Sequence, residues 1–240
     1  MLRNIISFLL LSLLAPLMCH AMIPRDKIPR ERPDLDLIRK EVYNRNSPYY
    51  YPSLMAEYER NDTTMSLDKY RRLYLGYMFQ EDYNPYRAPA YSGRMLTNYA
   101  KSDLTVQECD SVIKYSDLSL QDNPFDLNQM SALIAALRKK GQTNLADIWQ
   151  YKFDHILMAI VSTGTGADEE NAWYVIEPQH EYVLLNTIGY TVTNHLFYEP
   201  YYEYLTVKDP AEKDAGGFYF NILRILKEYY RKFPDEIEPD

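Results

Sequence analysis

Two cysteines in 240 residues are too few for a disulfide framework or a cysteine-rich zinc module. Positive charge is also short. The 26 Lys and Arg stand against 34 Asp and Glu, a net charge of −8, which excludes the basic face a nucleic-acid binder needs to neutralise phosphates. The apolar run Ile5 to Leu14 is too short to span the roughly 30 Å of a bilayer's hydrocarbon, so no transmembrane anchor is expected in the mature chain. Glycine and phenylalanine are scarce, at eight each, beside 24 tyrosines. The rest of the composition is ordinary globular usage, 46% apolar and 25% charged, at a length that can bury a sizeable core.

The N-terminus has the layout of a secretory signal peptide. Arg3 supplies the positive start, Ile5 to Leu14 is interrupted only by Ser7 and Ser12, and Pro16 ends the run. Cleavage after Ala21 places Cys19 and Ala21 at the two small-residue positions. The rival, lipidation at Cys19, wants a small residue before the cysteine, where Met18 stands. The expected domains are therefore a signal peptide (1–21), an exposed proline-rich leader (22–33) and a single α+β domain (34–240). Export to the periplasm or beyond follows as the expected location. Cys109, alone after cleavage, lies on an apolar helical stripe between acidic neighbours and reads as a small buried hydrophobe.

From residue 34 to about 163 the periodicity is helical. Asp34 caps a helix carrying Leu35, Ile38 and Val42, and Pro52 opens a second with Leu54, Met55 and Tyr58. Ser66 caps a third whose stripe is Tyr70, Leu73, Tyr74 and Tyr77. A short helix is expected around Met95 to Tyr99, and Thr105 with Glu108 forms a capping box for the next. Asn123-Pro124-Phe125-Asp126 opens a helix closed by Lys139-Lys140-Gly141. Its partner begins at Thr143 or Asn144, with Leu145, Ile148, Trp149, Phe153, Ile156, Leu157 and Ile160 inward. The pair is tetratricopeptide-like without a recurring period.

After Ser162-Thr163-Gly164-Thr165-Gly166 the pattern changes. Strands are expected over 173–177, 182–188 and 196–207 in a small antiparallel sheet, followed by an amphipathic helix over 218–233. Helices first and strands after predict an α+β fold. The glycine pair lacks the strand–loop–helix order and the Lys of a phosphate loop, so it reads as a helix end and turn. Asp168-Glu169-Glu170 lacks the alternating spacing of a calcium loop.

Ser-Thr-Gly-Thr-Gly at 162–166, Ala-Trp-Tyr-Val-Ile at 172–176, His-Glu-Tyr-Val-Leu-Leu-Asn at 180–186 and Phe-Tyr-Phe-Asn-Ile at 218–222 together resemble one family. It consists of exported proteins of Gram-negative gut bacteria that share a domain of unknown function, and the resemblance covers roughly residues 34 to 233. It implies export and an α+β domain, and brings no activity, cofactor or catalytic residue.

His180, Glu181, His195 and Glu199 are of types that suit zinc. A hairpin turning between Thr191 and Val192, however, sets His180 opposite Glu203 and His195 opposite Ile188. The histidines would then lie about eight strand positions apart, roughly 26 Å at about 3.3 Å per residue. That leaves a His180–Glu203 cross-strand pair, no metal and no cofactor. The tyrosines, clustered at Tyr49-Tyr50-Tyr51, at Tyr83, Tyr86 and Tyr91, and at Tyr198, Tyr201, Tyr202 and Tyr204, divide between core packing and surfaces suited to protein or carbohydrate. The reading is an exported, non-enzymatic binding module for an unknown protein or glycan. Its candidate binding residues are Tyr198, Tyr201, Tyr202, Tyr204, His180 and Glu203. The alternative is a periplasmic hydrolase or metal enzyme using the C-terminal His and Glu residues. Intact-mass and N-terminal analysis of the exported protein should give Met22 as the first residue. A diacylated Cys19 would contradict the cleavage.

Overall fold

A computed structural model describes residues 28–87, 104–208 and 216–236. Its helices start where a cap coincides with apolar spacing. In α1 (Leu35–Tyr43) the Asp34 side chain accepts the Leu37 N–H at 2.9 Å, and Ile38 and Val42 are buried. Helix α2 (Tyr51–Glu59) has Pro52 in its first turn and buries Tyr51, Leu54 and Tyr58. Helix α3 (Leu67–Tyr77), capped by Ser66, is buried at every position from Tyr70 to Tyr77 except Arg72. Both α1 and α2 pack on it. At Gly76 an added Cβ would lie 2.7 Å from a methyl of Val42, so glycine permits the close approach of α1.

Helix α4 (Val106–Asp122) opens on the expected capping box. Glu108 N–H donates to the Thr105 hydroxyl at 3.2 Å, and Thr105 N–H to the Glu108 carboxylate at 2.7 Å. It pairs with α5 (Leu127–Lys139), capped by Asp126. Gly141, with φ at 73°, ends α5 in a Schellman motif: its N–H donates to Arg138 and that of Gln142 to Leu137. Helix α6 (Thr143–Val161) follows. The buried stripe of α6 runs through Ala146, Phe153, Ile156, Leu157 and Ile160. Because it passes through Ala146, Leu145 is turned about 100° away and is 40% exposed. Trp149 is only half-buried, contrary to the inward position expected of it. Cys109 is fully buried with Val112 and Ala136, and burial raises its thiol pKa. The expected helix around Met95 to Tyr99 lies outside the described residues.

The described chain divides into two compact units, one of residues 104–150 and one of 28–87, 151–208 and 216–236. The second holds a four-stranded sheet in the order β1-β4-β3-β2, built from β1 (Trp173–Tyr174), β2 (Thr191–Tyr198), β3 (Tyr202–Lys208) and β4 (Gly217–Asn221). Helix α7 (Gln179–Thr187) lies between β1 and β2, and α8 (Leu223–Lys232) follows β4. The fold is α+β. The sheet is mixed, since β1 runs parallel to β4 while the other pairs are antiparallel. No helix among the described residues is long and apolar enough to cross a membrane.

Three expectations are corrected here. Residues 182–187 are helix, with Ile188 as the C-cap: His180, Glu181, Leu184 and Leu185 are the buried positions, a helical stripe. Gly189, with φ at 94°, ends α7 in a second Schellman motif, its N–H on Asn186 and that of Tyr190 on Leu185. The 196–207 run breaks at Pro200, which has no N–H for a ladder, so the hairpin turns at 199–201 instead of 191–192. Residues 218–221 belong to a strand, and the last helix starts only at Leu223.

Within the second unit, the loop after α6 ties α3 to the start of the sheet. Arg71 donates to the carbonyl and hydroxyl of Ser162, at 2.7 and 3.0 Å, and to the carbonyl of Glu31. The N–H groups of Thr165 and Gly166 both donate to the Asn171 carbonyl, so neither faces outward to hold an anion. The Trp173 indole N–H donates to Gly164 at 3.0 Å. A Cβ at Gly164 would lie 2.2 Å from the Asn171 carbonyl oxygen. Gly164→Ala is expected to destabilise the protein by about 1–3 kcal/mol in urea unfolding, because the obstacle is backbone and cannot rotate away.

Candidate functional site

The β2–β3 hairpin carries a different chemistry on each face, because side chains alternate along a strand. Its register pairs Leu196 with Tyr204 and Tyr198 with Tyr202, while β4 sets Tyr219 opposite Tyr204. These residues share one face. The rings of Tyr204 and Tyr219 are 4.6 Å apart, and Tyr198 stands 6.0 and 5.8 Å from the two. Tyr198 is 39% exposed, and Tyr204 and Tyr219 are half-buried. Gly217 makes this arrangement possible: a Cβ there would come within 2.6 Å of the Tyr204 ring. The loop residues Asp168, Glu169 and Glu170 line a shallow depression with Tyr219, giving the face an acidic rim. No group among the described residues hydrogen-bonds the hydroxyls of Tyr198, Tyr204 or Tyr219, whereas buried tyrosines such as Tyr74 and Tyr83 use theirs inside the protein.

The opposite face carries His195, Phe197, Glu203, Leu205, Phe218 and Phe220. Trp173 stacks on Phe218 with centroids 5.0 Å apart and meets Phe220 at 5.6 Å. Within this apolar setting His195 Nε2 lies 3.2 Å from Glu203 Oε1. The Glu203 carboxylate beside it raises the His195 pKa against the opposing effect of burial. Burial pushes Glu203 upward, but hydrogen bonds from His195 and Glu181 outweigh it and hold the carboxyl below its ordinary value. Glu181, on α7, has no exposed surface. Burial, then the charge of Glu203, drives its pKa well upward, so it is the protonated member of the pair.

The six residues singled out from sequence thus part company. Tyr198 and Tyr204 lie together on the open face. Tyr202 is buried and Tyr201 half-buried, their rings 4.7 Å apart. Glu203 is on the reverse face. His180 is on α7, fully buried, with Nδ1 2.8 Å from the Tyr74 hydroxyl and Nε2 3.7 Å from Glu177. The expected His180–Glu203 pair is therefore replaced by His195–Glu203, a consequence of the hairpin turning at Pro200. Sequence reasoning missed Tyr219, assigned to a helix, although Gly217-Phe-Tyr-Phe before a polar residue already alternates. It also missed the partnership of Glu181 with Glu203, which depends on α7 lying against β2.

Two other titratable side chains are set among aromatic rings. Lys152 is 4% exposed, with its ammonium 4.3 Å above the Tyr58 ring, and burial lowers its pKa to about 8. His155 stacks on Tyr151 at 3.8 Å, and burial lowers its pKa. Among the described residues, no group of three or more His, Cys, Asp or Glu side chains is placed to hold a metal ion.

Residues 36–231 match the model of the family described as Domain of unknown function (DUF4919). The chain belongs to this family. Neither the curated proteins nor the solved structures provide a match. In this member of DUF4919 the site rests on Tyr74, whose hydroxyl meets His180 and accepts the Ile176 N–H at 3.2 Å. Tyr74→Phe leaves both buried partners short of a bond. It is expected to cost about 1–3 kcal/mol in thermal or urea unfolding.

Proposed function

We propose that the protein is an exported, non-enzymatic binding module that takes an uncharged glycan chain on the tyrosine face of its sheet. The observation that carries this reading is the cluster of Tyr198, Tyr204 and Tyr219, three rings in mutual contact on an open sheet face. Tyrosine rings offer flat apolar surface to the C–H face of a sugar, and their free hydroxyls suit its hydroxyl groups. The rim of Asp168, Glu169 and Glu170 repels anionic ligands, which favours a neutral chain over an acidic one. The signal-like segment 1–21 supports delivery to the periplasm or beyond.

An enzymatic reading needs acid and base groups that a substrate can reach. The most perturbed carboxyl, Glu181, has no exposed surface, and Glu203 is 18% exposed with His195 against it. These groups support a structural role. A glycan array followed by calorimetry on the strongest hit tests the proposal. Tyr204→Ala and Tyr219→Ala should each weaken binding at least about tenfold, a loss of about 1.4 kcal/mol. Tyr43→Ala, an exposed tyrosine away from the sheet, should leave it unchanged. Binding that survives loss of both sheet tyrosines would refute the face as the ligand site.

A further inference from the structure

Glu181 stands apart from the other carboxyl groups described here. None of it reaches solvent, and neither oxygen finds a hydrogen-bond donor in the described structure when both it and Glu203 are ionised. A carboxylate cannot be left in that condition. The group within hydrogen-bonding reach is another acid, Glu203 on β3, whose far side meets His195 of β2 at 3.2 Å. Burial, and beyond it the charge of this pair, raises the pKa of Tyr74 from α3, of Tyr86 from the loop beyond it and of Tyr182 from α7 itself. All three are neutral. The cation of the group is His195.

We propose that Glu181 and Glu203 share one proton, and that this proton, with the charge on His195, fastens the β2–β3 hairpin to α7 and releases it as the pH rises. Protonated Glu181 donates its O–H to ionised Glu203, and the imidazolium of His195 forms an ion pair with it from the other side. Loss of the shared proton to solvent leaves Glu181 ionised, without water and facing a second carboxylate. The hairpin must then lift far enough to hydrate Glu181.

The direction follows from the proton count. Glu181, raised by burial and then by Glu203, keeps a proton that the unfolded chain releases near 4.5, so its contribution falls as the pH climbs above that value. His195 is raised by its bond to Glu203, so its contribution is full below about 6.5 and is lost as the pH passes through its higher folded value. Glu203 is lowered and weakens the assembly only in acid, below about 4.5. The hairpin is held most firmly near pH 4.5 and loosens as the pH rises, more steeply above about 6.5.

Hydrogen exchange of the amides of residues 191–208, corrected for intrinsic rates, tests this between pH 5.5 and 7.5. Wild-type protection should fall about tenfold per pH unit for each proton involved. In Glu181→Gln the side-chain amide donates to Glu203 and has no proton to lose, so the slope should be shallower by about one proton. An unchanged slope would overturn the proposal. Infrared difference spectra of wild type provide a measurement that does not depend on the variant folding. A protonated carboxylic acid band should be present at pH 7 and vanish near the pH at which protection is lost, and its absence at pH 7 would be equally decisive against the shared proton.

Discussion

The hydroxyl of Tyr74 is the point on which the sheet half of the structure depends. It accepts the N–H of Ile176 where the chain leaves β1, and it meets the ring of His180 one step into α7. Tyr74 is fully buried, so these partners have no water to fall back on. Position 74 thereby sets where α7 starts and which face it turns to β2. Once α7 is placed, Glu181 comes against Glu203 and the tyrosines of the hairpin are left on the far side. A residue of the helical part thus orients a site built mainly from strands.

Helix α3 makes a second attachment of the same kind one turn earlier. Arg71 is 8% exposed, and its guanidinium is matched to the carbonyls of Ser162 and Glu31 and to the Ser162 hydroxyl, with no carboxylate among the described residues in salt-bridge contact. It sits at the end of α6, where unpaired carbonyls and the negative end of the helix favour a cation. Beyond it the chain must turn tightly enough to bring Asn171 onto Gly164, and the absence of a side chain at 164 allows this. Tyr219 then donates its N–H to Gly166 at 2.8 Å, tying the loop to β4. The tyrosine face and its acidic rim are held together by these short-range backbone contacts.

Much of the helical half was legible in the chain, for local reasons. Asp34, Ser66, Thr105 and Asp126 are caps whose bonds close within a few residues, and Gly141 ends α5 as its position announced. The misreadings also have local causes. Tyr182-Val183-Leu184-Leu185 is a short apolar run that fits a strand or a buried helix equally well by period. Gly189 fits a hairpin turn and a helix C-terminus alike, and only the bond from Tyr190 to Leu185 distinguishes the two. A hairpin turning between Thr191 and Val192, just after that glycine, shifts every pairing along it and moves His180 onto Glu203. Of the candidate residues, Tyr198 and Tyr204 share a face because the turn at Pro200 sets Tyr198 opposite Tyr202, which places the even-numbered positions on either side of that turn together. Tyr219 joined them only through β4.

The sequence by itself determined the helix boundaries set by caps, the α+β order of elements and the membership in DUF4919 carried by residues 36–231. It also determined that Cys109 is a buried hydrophobe, since its apolar neighbours recur with the helical period. Tertiary structure alone decided which tyrosines are core and which are surface, and which of two histidines meets Glu203. Both are questions of long-range pairing. A cap is closed by atoms three residues away. The partner of Glu203 depends instead on where a strand turns, and the exposure of Tyr219 on which strand lies beside it.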